Sequence, residues 1–186
     1  MSLLFSNDLR SAYVVEIVSS FQRAKPEGYL GRTALQKLVY FCKAVGVPIP
    51  CSFEIYNFGP YSEDLTRSVT YLLADDALDD ISVNPIKYSS YRIGESANQI
   101  DPQFTKETGA HRALIDSMVG VLAGSSPSDL ELVATLHFVN SKIKGLEGRR
   151  PAEGVVFNAF REIKGTKFTF DQVKIWYDWL DESRLL

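Results

Sequence analysis

The stretch FEIYNFGPYSEDL, residues 53–65, decides how this chain divides into elements. From Ser52 to Phe58 the side chains alternate, with Phe53, Ile55 and Asn57 set against Glu54, Tyr56 and Phe58, which is the period of a short strand with one buried face. Gly59-Pro60 is read as the break, because proline donates nothing to a ladder and glycine takes dihedrals that other residues avoid. Ser62 then caps a helix whose first turn carries Glu63 and Asp64, where the helix dipole favours negative charge, and whose buried face is Leu65, Val69, Leu72 and Leu73. The corner is therefore read as a strand-to-helix turn, with Phe58 and Tyr61 flanking it as aromatics able to make a contact.

Working back toward the N-terminus, Leu9, Tyr13, Ile17 and Phe21 recur every four residues from Asp8 to Ala24, which predicts a helix closed by Pro26 and Gly28. Thr33-Ala34-Leu35-Gln36 reads as a capping box opening a second helix, with Leu35, Leu38, Val39, Cys42 and Val45 as its stripe. Gln36, Lys37, Tyr40 and Lys43 lie off that stripe. Working forward, Asp75, Asp76, Asp79 and Asp80 form an acidic stretch without EF-hand spacing, read as a solvated loop. Residues 81–83 and 88–93 read as a hairpin around Asn84-Pro85, and residues 95–106 as a polar connector carrying Pro102.

The remainder is predicted to be helical. Leu114, Met118, Val121 and Leu122 mark one helix ending at Gly124; Ser126-Pro127-Ser128-Asp129 is a strong start signal for the next, striped by Leu132, Leu136, Val139 and Ile143. A loop is expected over residues 145–151 and a short helix over residues 156–163. Thr169-Phe170-Asp171-Gln172 repeats the threonine-to-glutamine box and opens a last helix burying Val173, Trp176, Tyr177 and Leu180. Ile175 and Trp179 fall on another face of that helix, as core under a neighbour or as a partner surface.

Composition bounds the rest. A chain of 186 residues, 45% hydrophobic and 12% aromatic, can bury a sizeable core, and a net charge of −3 gives no overall basic footprint for nucleic acid. Cys42 and Cys51 make neither a disulfide framework nor a metal-ligand pair, the apolar patch Leu3-Leu4-Phe5 is too short for a signal-peptide core, and no run approaches the roughly 18 apolar residues of a membrane span. These features predict a cytoplasmic protein with free thiols and no membrane, metal or cofactor.

Catalytic chemistry is thinly represented. His111 and His137 are the only histidines, and His137 sits beside an apolar stripe with Asn140 three residues on, the setting of a packed histidine. Gly94-Glu95-Ser96-Ala97-Asn98 begins like a hydrolase elbow but lacks the closing glycine, and no phosphate loop, dinucleotide fingerprint or zinc helix occurs. Helix, helix, strand, helix and hairpin follow a winged-helix plan, in which residues 62–73 would enter a groove; their outer positions Glu63, Thr66, Arg67 and Thr70 suit phosphate poorly. The net basic stretch Lys142, Lys144, Arg149 and Arg150, continued by Arg161, Lys164 and Lys167, is the candidate phosphate or nucleic-acid patch.

T-A-L-Q-K-L-V-Y-F at residues 33–41, F-E-I-Y-N-F-G-P-Y-S-E-D-L, S-D-L-E-L-V-A-T-L-H-F-V at residues 128–139 and the closing K-F-T-F-D-Q-V resemble the uncharacterised YwgA-like family of bacterial and archaeal proteins. More distantly, the L-Q-K-L-x-Y-F helix and G-P turn resemble the Panacea or SocA-like domain of antitoxin- and phage-associated proteins. The first resemblance implies a compact, mostly helical α+β domain without an assigned catalytic residue. The second implies a protein-binding, toxin-neutralising or adaptor role, and would place the partner surface at Gln36, Lys37, Tyr40 and the corner Phe58, Gly59, Pro60, Tyr61 and Ser62.

The resulting expectation is one mostly helical α+β domain, with a winged-helix-like half over residues 8–95 bearing a small antiparallel sheet and a helical half over residues 107–186. Its expected function is a non-enzymatic interaction or regulatory module that binds another protein or itself. A winged-helix-type DNA-binding regulator is the alternative.

Overall fold

The computed structural model describes residues 3–85 and 88–186 and is mostly helical, with two small two-stranded sheets. Its contacts divide it into two compact units. The first runs to Glu54 and resumes over Tyr61–Ser125; the second comprises Ile55–Pro60 and Ser126–Leu186. The boundary at residue 125 lies later than residue 107, where the second half is expected, so the two helices between residues 101 and 125 belong to the first unit.

The first unit is built around α1 (Leu9–Ala24), which packs on α3 (Glu63–Ala74), α4 (Pro102–Ala110), α5 (Arg112–Leu122) and β4 (Tyr91–Ile93), while α2 (Arg32–Ala44) packs on α1 and α5. Tyr13, Ile17, Phe21, Leu35, Leu38 and Phe41 from α1 and α2 are in its core. Ionic pairs that are invisible in the sequence tie α1 to α5. Both Glu16 oxygens accept from Arg112, at 2.9 and 3.0 Å, Glu16 also takes Arg23 at 3.1 Å, and Arg23 and Ser20 both donate to Asp116, at 2.7 and 2.5 Å. Burial raises the Asp116 pKa, but the Ser20 and Arg23 hydrogen bonds outweigh it and hold the carboxyl below its usual range.

The opening stretch is more folded than a strand and a break. Glu54–Tyr56 is β1, Asn57-Phe58 is the turn, and Gly59–Tyr61 is β2, paired back on β1 as a hairpin. Gly59 has φ of +86° while neither Asn57 nor Phe58 has positive φ, the dihedral pattern of a type I turn with a glycine bulge. Glycine is thus required here to continue a hairpin, and proline sits in a two-stranded sheet where its missing donor is tolerated. Ser62 caps α3 as expected, its hydroxyl accepting from the Leu65 amide at 3.2 Å.

Two other readings change. The first strand of the second hairpin is β3, Leu78–Asp80, paired in the register Leu78↔Ile93, Asp79↔Arg92 and Asp80↔Tyr91, so Asp79 and Asp80 lie in a ladder. Two of the acids are anchors: the Asp75 carboxylate accepts the Leu4, Phe5 and Ser6 amides and the Ser6 hydroxyl within 2.8–3.1 Å, and Asp80 accepts the Ser82 and Ser90 amides. No group of carboxylates, histidines and cysteines among the described residues is placed to hold a metal. The expected connector contains a 3-10 turn, Glu95–Gln99, and α4, for which Asp101 is the cap and Pro102 the first-turn proline.

Gly94 explains the hydrolase-like pentapeptide. A Cβ there would lie 2.3 Å from the Asp76 carbonyl oxygen and 2.9 Å from its carbon, both backbone atoms with no rotamer to move aside. Gly94→Ala is expected to destabilise the protein by about 1–3 kcal/mol, whereas Gly120→Ala, in α5 with no atom within 4 Å of the new Cβ, should stabilise it by roughly 0.5–1 kcal/mol. Urea unfolding of the two variants side by side checks this. A Gly94→Ala midpoint equal to that of the native protein would show that the close approach does not exist in solution.

The second unit contains α6 (Pro127–Glu147), α7 (Glu153–Lys164) and α8 (Phe170–Glu182), with α6 packed on both others. Ser126 caps α6 and Pro127 takes its first turn. The helix runs through Gly145 to Glu147 and is capped by Gly148, which adopts φ of +67°, so the expected loop over residues 145–151 is three residues shorter at its start. No helix among the described residues is long and apolar enough to cross a membrane.

Candidate interaction site

The site in the second unit begins with the spacing of α7. Val156, Phe160 and Lys164 recur at four-residue intervals and are its buried stripe, so a lysine stands where the helix needs an apolar residue. An ammonium buried there requires a counterion. Glu131 of α6 supplies it: Lys164 Nζ lies 2.8 Å from Glu131 Oε1 and donates to the Asn57 carbonyl at 2.9 Å, and both side chains are at most 4% exposed. Lys167 then reaches both Glu131 oxygens at 2.8 Å. Burial alone would raise the Glu131 pKa; the two lysines hold it below its usual range.

This network fixes the connection between α7 and α8. The Lys167 ammonium sits 5.5 Å from the Phe58 ring centre and 5.4 Å from that of Phe168, a cation held between two aromatic faces. Gly165, with φ of +57°, turns the chain out of α7, and Thr169 with Gln172 forms the full capping box that starts α8. The next row along α7, Gly154, Phe157, Asn158, Arg161 and Gly165, together with Phe168, Phe170 and Val173, encloses an open cleft of about 260 Å³.

Its walls are rings in contact. Phe157 meets Phe170 edge-on at 5.5 Å and Tyr177 at 5.2 Å, and Phe160 lies 5.9 Å from Phe168. Phe170 is 57% exposed. Gly154 lines the cleft, and no atom lies within 4 Å of where its Cβ would stand, so a larger side chain has room there. The Arg161 guanidinium has no hydrogen bond or ion pair among the described residues, although the other cations of residues 149–174 each face an acid: Arg149 with Glu147, Arg150 with Asp181, Lys164 and Lys167 with Glu131, and Lys174 with Glu153 and Asp178.

The residues singled out in the sequence fall in different places. Gln36, Lys37 and Tyr40, expected on an accessible surface, are buried. Gln36 is a clamp: its Nε2 donates to the Ser62 carbonyl at 3.0 Å, its Oε1 accepts the Ser62 amide at 2.9 Å, and it does not reach back to Thr33, because α2 starts two residues earlier than that box requires, with Gly31 as its cap. Tyr40 packs edge-on against Phe41 and Phe53. Gly59, Pro60 and Ser62 are buried and Tyr61 is half-buried, its hydroxyl accepting from Thr66; Phe58 alone of that corner is largely exposed.

Ile175 is 66% exposed, while Trp179 is half-buried against Trp176, which is itself half-buried and directs its indole N–H toward Asp129. Lys142, Lys144, Arg149 and Arg150 are exposed at the end of α6 and in the following loop; Lys142 lies over the Phe138 ring, and both arginines are held by acids. The Asp181 carboxylate, with the Tyr177 hydroxyl, raises the Arg150 pKa further.

The histidines belong to different units. His111 Nδ1 lies 3.0 Å from the Tyr13 hydroxyl and 3.2 Å from the Glu107 carbonyl. His137 is 7% exposed, and burial above all pushes its pKa down to about 4. Both cysteines are free and buried, and burial pushes the Cys42 thiol up to about 12, away from nucleophilic use. Sequence reasoning missed Glu131 and the cleft and placed Lys164 in an exposed basic stretch; the one signal available for its burial was its fit to the apolar period of α7.

A mostly helical α+β protein with an aromatic cleft beside a buried ion network is the class that the fold and site define. No family model matches the sequence. The chain is similar to the uncharacterized protein YwgA of Bacillus subtilis (strain 168), at 26% identity over 143 residues that cover 77% of this chain and 82% of that protein, in keeping with the YwgA-like resemblance of its motifs.

Proposed function

We propose that this chain is a non-enzymatic, cytoplasmic protein-interaction module that presents the cleft between α7 and α8 to another protein. The observation that carries the reading is an open, ring-lined cleft beside exposed Phe170 and containing an unpaired arginine. Aromatic residues, phenylalanine among them, and arginine are enriched in protein interfaces over the rest of the surface. The non-enzymatic part is supported by His111 and His137 each being engaged in packing within its own unit, and by the raised thiol pKa of Cys42. A Panacea-like adaptor or antitoxin role would be one form of this activity. The residues that carry that resemblance, Leu35, Gln36, Leu38 and Gly59, have fold-building positions here, so they support a common fold more than a common partner surface.

A winged-helix-like use of residues 8–95 on DNA has less support: Glu63 stands in the first turn of α3, Thr66 is bonded to Gln36 and Tyr61, and in the basic stretch Arg149 and Arg150 already face acids.

Selection of a random displayed-peptide library on the full chain tests the proposal, with Gly154→Trp as the cleft-filled counter-target. Enriched peptides that bind the native protein and not the variant are the expected result. No enrichment, or equal binding to both, would overturn it. A parallel anisotropy titration with mixed-sequence duplex DNA at low salt gives the competing regulator reading its chance: salt-sensitive binding lost in Arg149→Gln/Arg150→Gln would replace the interaction module.

A further inference from the structure

We propose that the cleft between α7 and α8 is built for one bulky apolar side chain of a protein partner, with a carboxylate beside that side chain held by Arg161. The inference rests on the interaction reading and adds the chemistry of the occupant. Three observations carry it.

The first is size. A cleft of about 260 Å³ falls below the roughly 300–1,000 Å³ of pockets that enclose drug-sized ligands, which makes a nucleotide or large cofactor a poor fit and a single aromatic or large aliphatic group a good one. The second is lining. Phe157, Phe160, Phe168 and Phe170 line it as edge-on and tilted ring pairs, and the space around Gly154 on the same lining is open.

The third observation is charge, and it selects the occupant's polarity. Of the cations in residues 149–174, Arg161 is the one without an acid partner among the described residues. It stands on the cleft wall one helical turn from Phe157, with Asn158, exposed and without a side-chain hydrogen bond among the described residues, beside it. A guanidinium next to a partly dry ring-lined surface favours a carboxylate through paired N–H donors, and a planar fork tolerates neither an amide nor a second cation equally well. Asn158 can both donate to and accept from the backbone of an extended segment.

The test uses the full chain labelled with ¹⁵N and two probes, N-acetyl-L-tryptophan, which carries ring and carboxylate together, and its uncharged amide. Amide-resonance titration is expected to show shifts confined to residues 154–173 for both probes, with the carboxylate binding about tenfold more tightly. Arg161→Met, an exposed position, should bring the two affinities together, and Gly154→Trp should remove both. Unchanged backbone spectra away from α7 and α8 identify these variants as folded. Equal affinity of the native protein for the two probes, shifts elsewhere, or no shifts at millimolar concentration would overturn the proposal.

The outcome separates it from the reading on which it rests. Displayed peptides that depend on the cleft but carry no acid, and bind Arg161→Met as well as native protein, would leave an interaction module and defeat this inference. Carboxylate-selective binding of the small probe with no peptide enriched would instead mark a small-molecule site and defeat both.

Discussion

Glu131→Ala is expected to lower the free energy of unfolding by about 3–5 kcal/mol, because it strands a buried ammonium. Lys164 is held at 3% side-chain exposure on the apolar stripe of α7, and without Glu131 its only remaining partner among those described is the Asn57 carbonyl. Lys167 loses both of its contacts at the same time, and with them the fixed position of its ammonium between Phe58 and Phe168. The loss should therefore be registered at the cleft as well as in global stability. Glu131→Leu/Lys164→Met removes both charges and should recover most of the loss, since an apolar pair of similar volume avoids desolvation altogether. Urea unfolding of Glu131→Ala, and of Glu131→Leu, Lys164→Met and their double read as a cycle, is the measurement. A single-variant loss within about 0.5 kcal/mol, the range of an ordinary surface substitution, would mean that the pair is not buried in solution.

The second large effect is a loss of stability in mild acid that traces to His137. Burial pushes its pKa down to about 4, the Leu185 backbone works against that shift, and Lys144 adds to it. An unfolded histidine titrates near 6.5, so between about pH 6.5 and 4 the unfolded chain binds a proton that the folded one refuses. The stability contributed by this neutral, packed imidazole is thus complete above about pH 6.5 and is lost as the pH falls toward 4, at roughly 1.4 kcal/mol per pH unit. Lowering the pH from 7 to 5 should cost about 2 kcal/mol. Asp75, Asp80, Asp116 and Glu131 also have lowered pKa values, and their losses set in as the pH falls into the ordinary carboxylate range and continue below it. Urea midpoints at pH 7 and pH 5 for the native protein and His137→Gln check the assignment: the variant should lose most of the difference, and an unchanged difference would locate the effect elsewhere.

Two matching signatures show how far local sequence reaches. Thr169-x-x-Gln172 forms its capping box, with Gln172 accepting the Thr169 amide at 2.9 Å. Thr33-x-x-Gln36 has the same letters, yet Gln36 instead pairs with both backbone groups of Ser62, twenty-six residues away in sequence. A local cap is worth about a kilocalorie, and a buried unpaired Ser62 amide and carbonyl would cost more than that, so the tertiary partner wins. Helices with one apolar face and a start signal, such as α1, α3, α6 and α8, were legible for the opposite reason: period and cap agree locally with the final packing.

The site was less legible. Lys164 and Lys167 read as part of a basic stretch because their acid lies on another helix, and the cleft phenylalanines received no role because their spacing carries no mark of which side stays open. The exposed Phe58 was noticed as a corner aromatic, but its cation arrives from residue 167. The acidic stretch looked solvated since backbone acceptance by Asp75 and Asp80 depends on chain segments brought in from residues 4–6 and 82–90.

The course of the polypeptide between the two units limits how the protein can be taken apart. The chain leaves the first unit after Glu54, returns at Tyr61 and leaves again after Ser125. A gene fragment for residues 126–186 would retain all three helices of the second unit yet omit the Asn57 carbonyl that receives Lys164 and the Phe58 ring that covers Lys167. Excision at a single junction would therefore yield an incomplete unit, and a separable version would have to splice the hairpin tip back in.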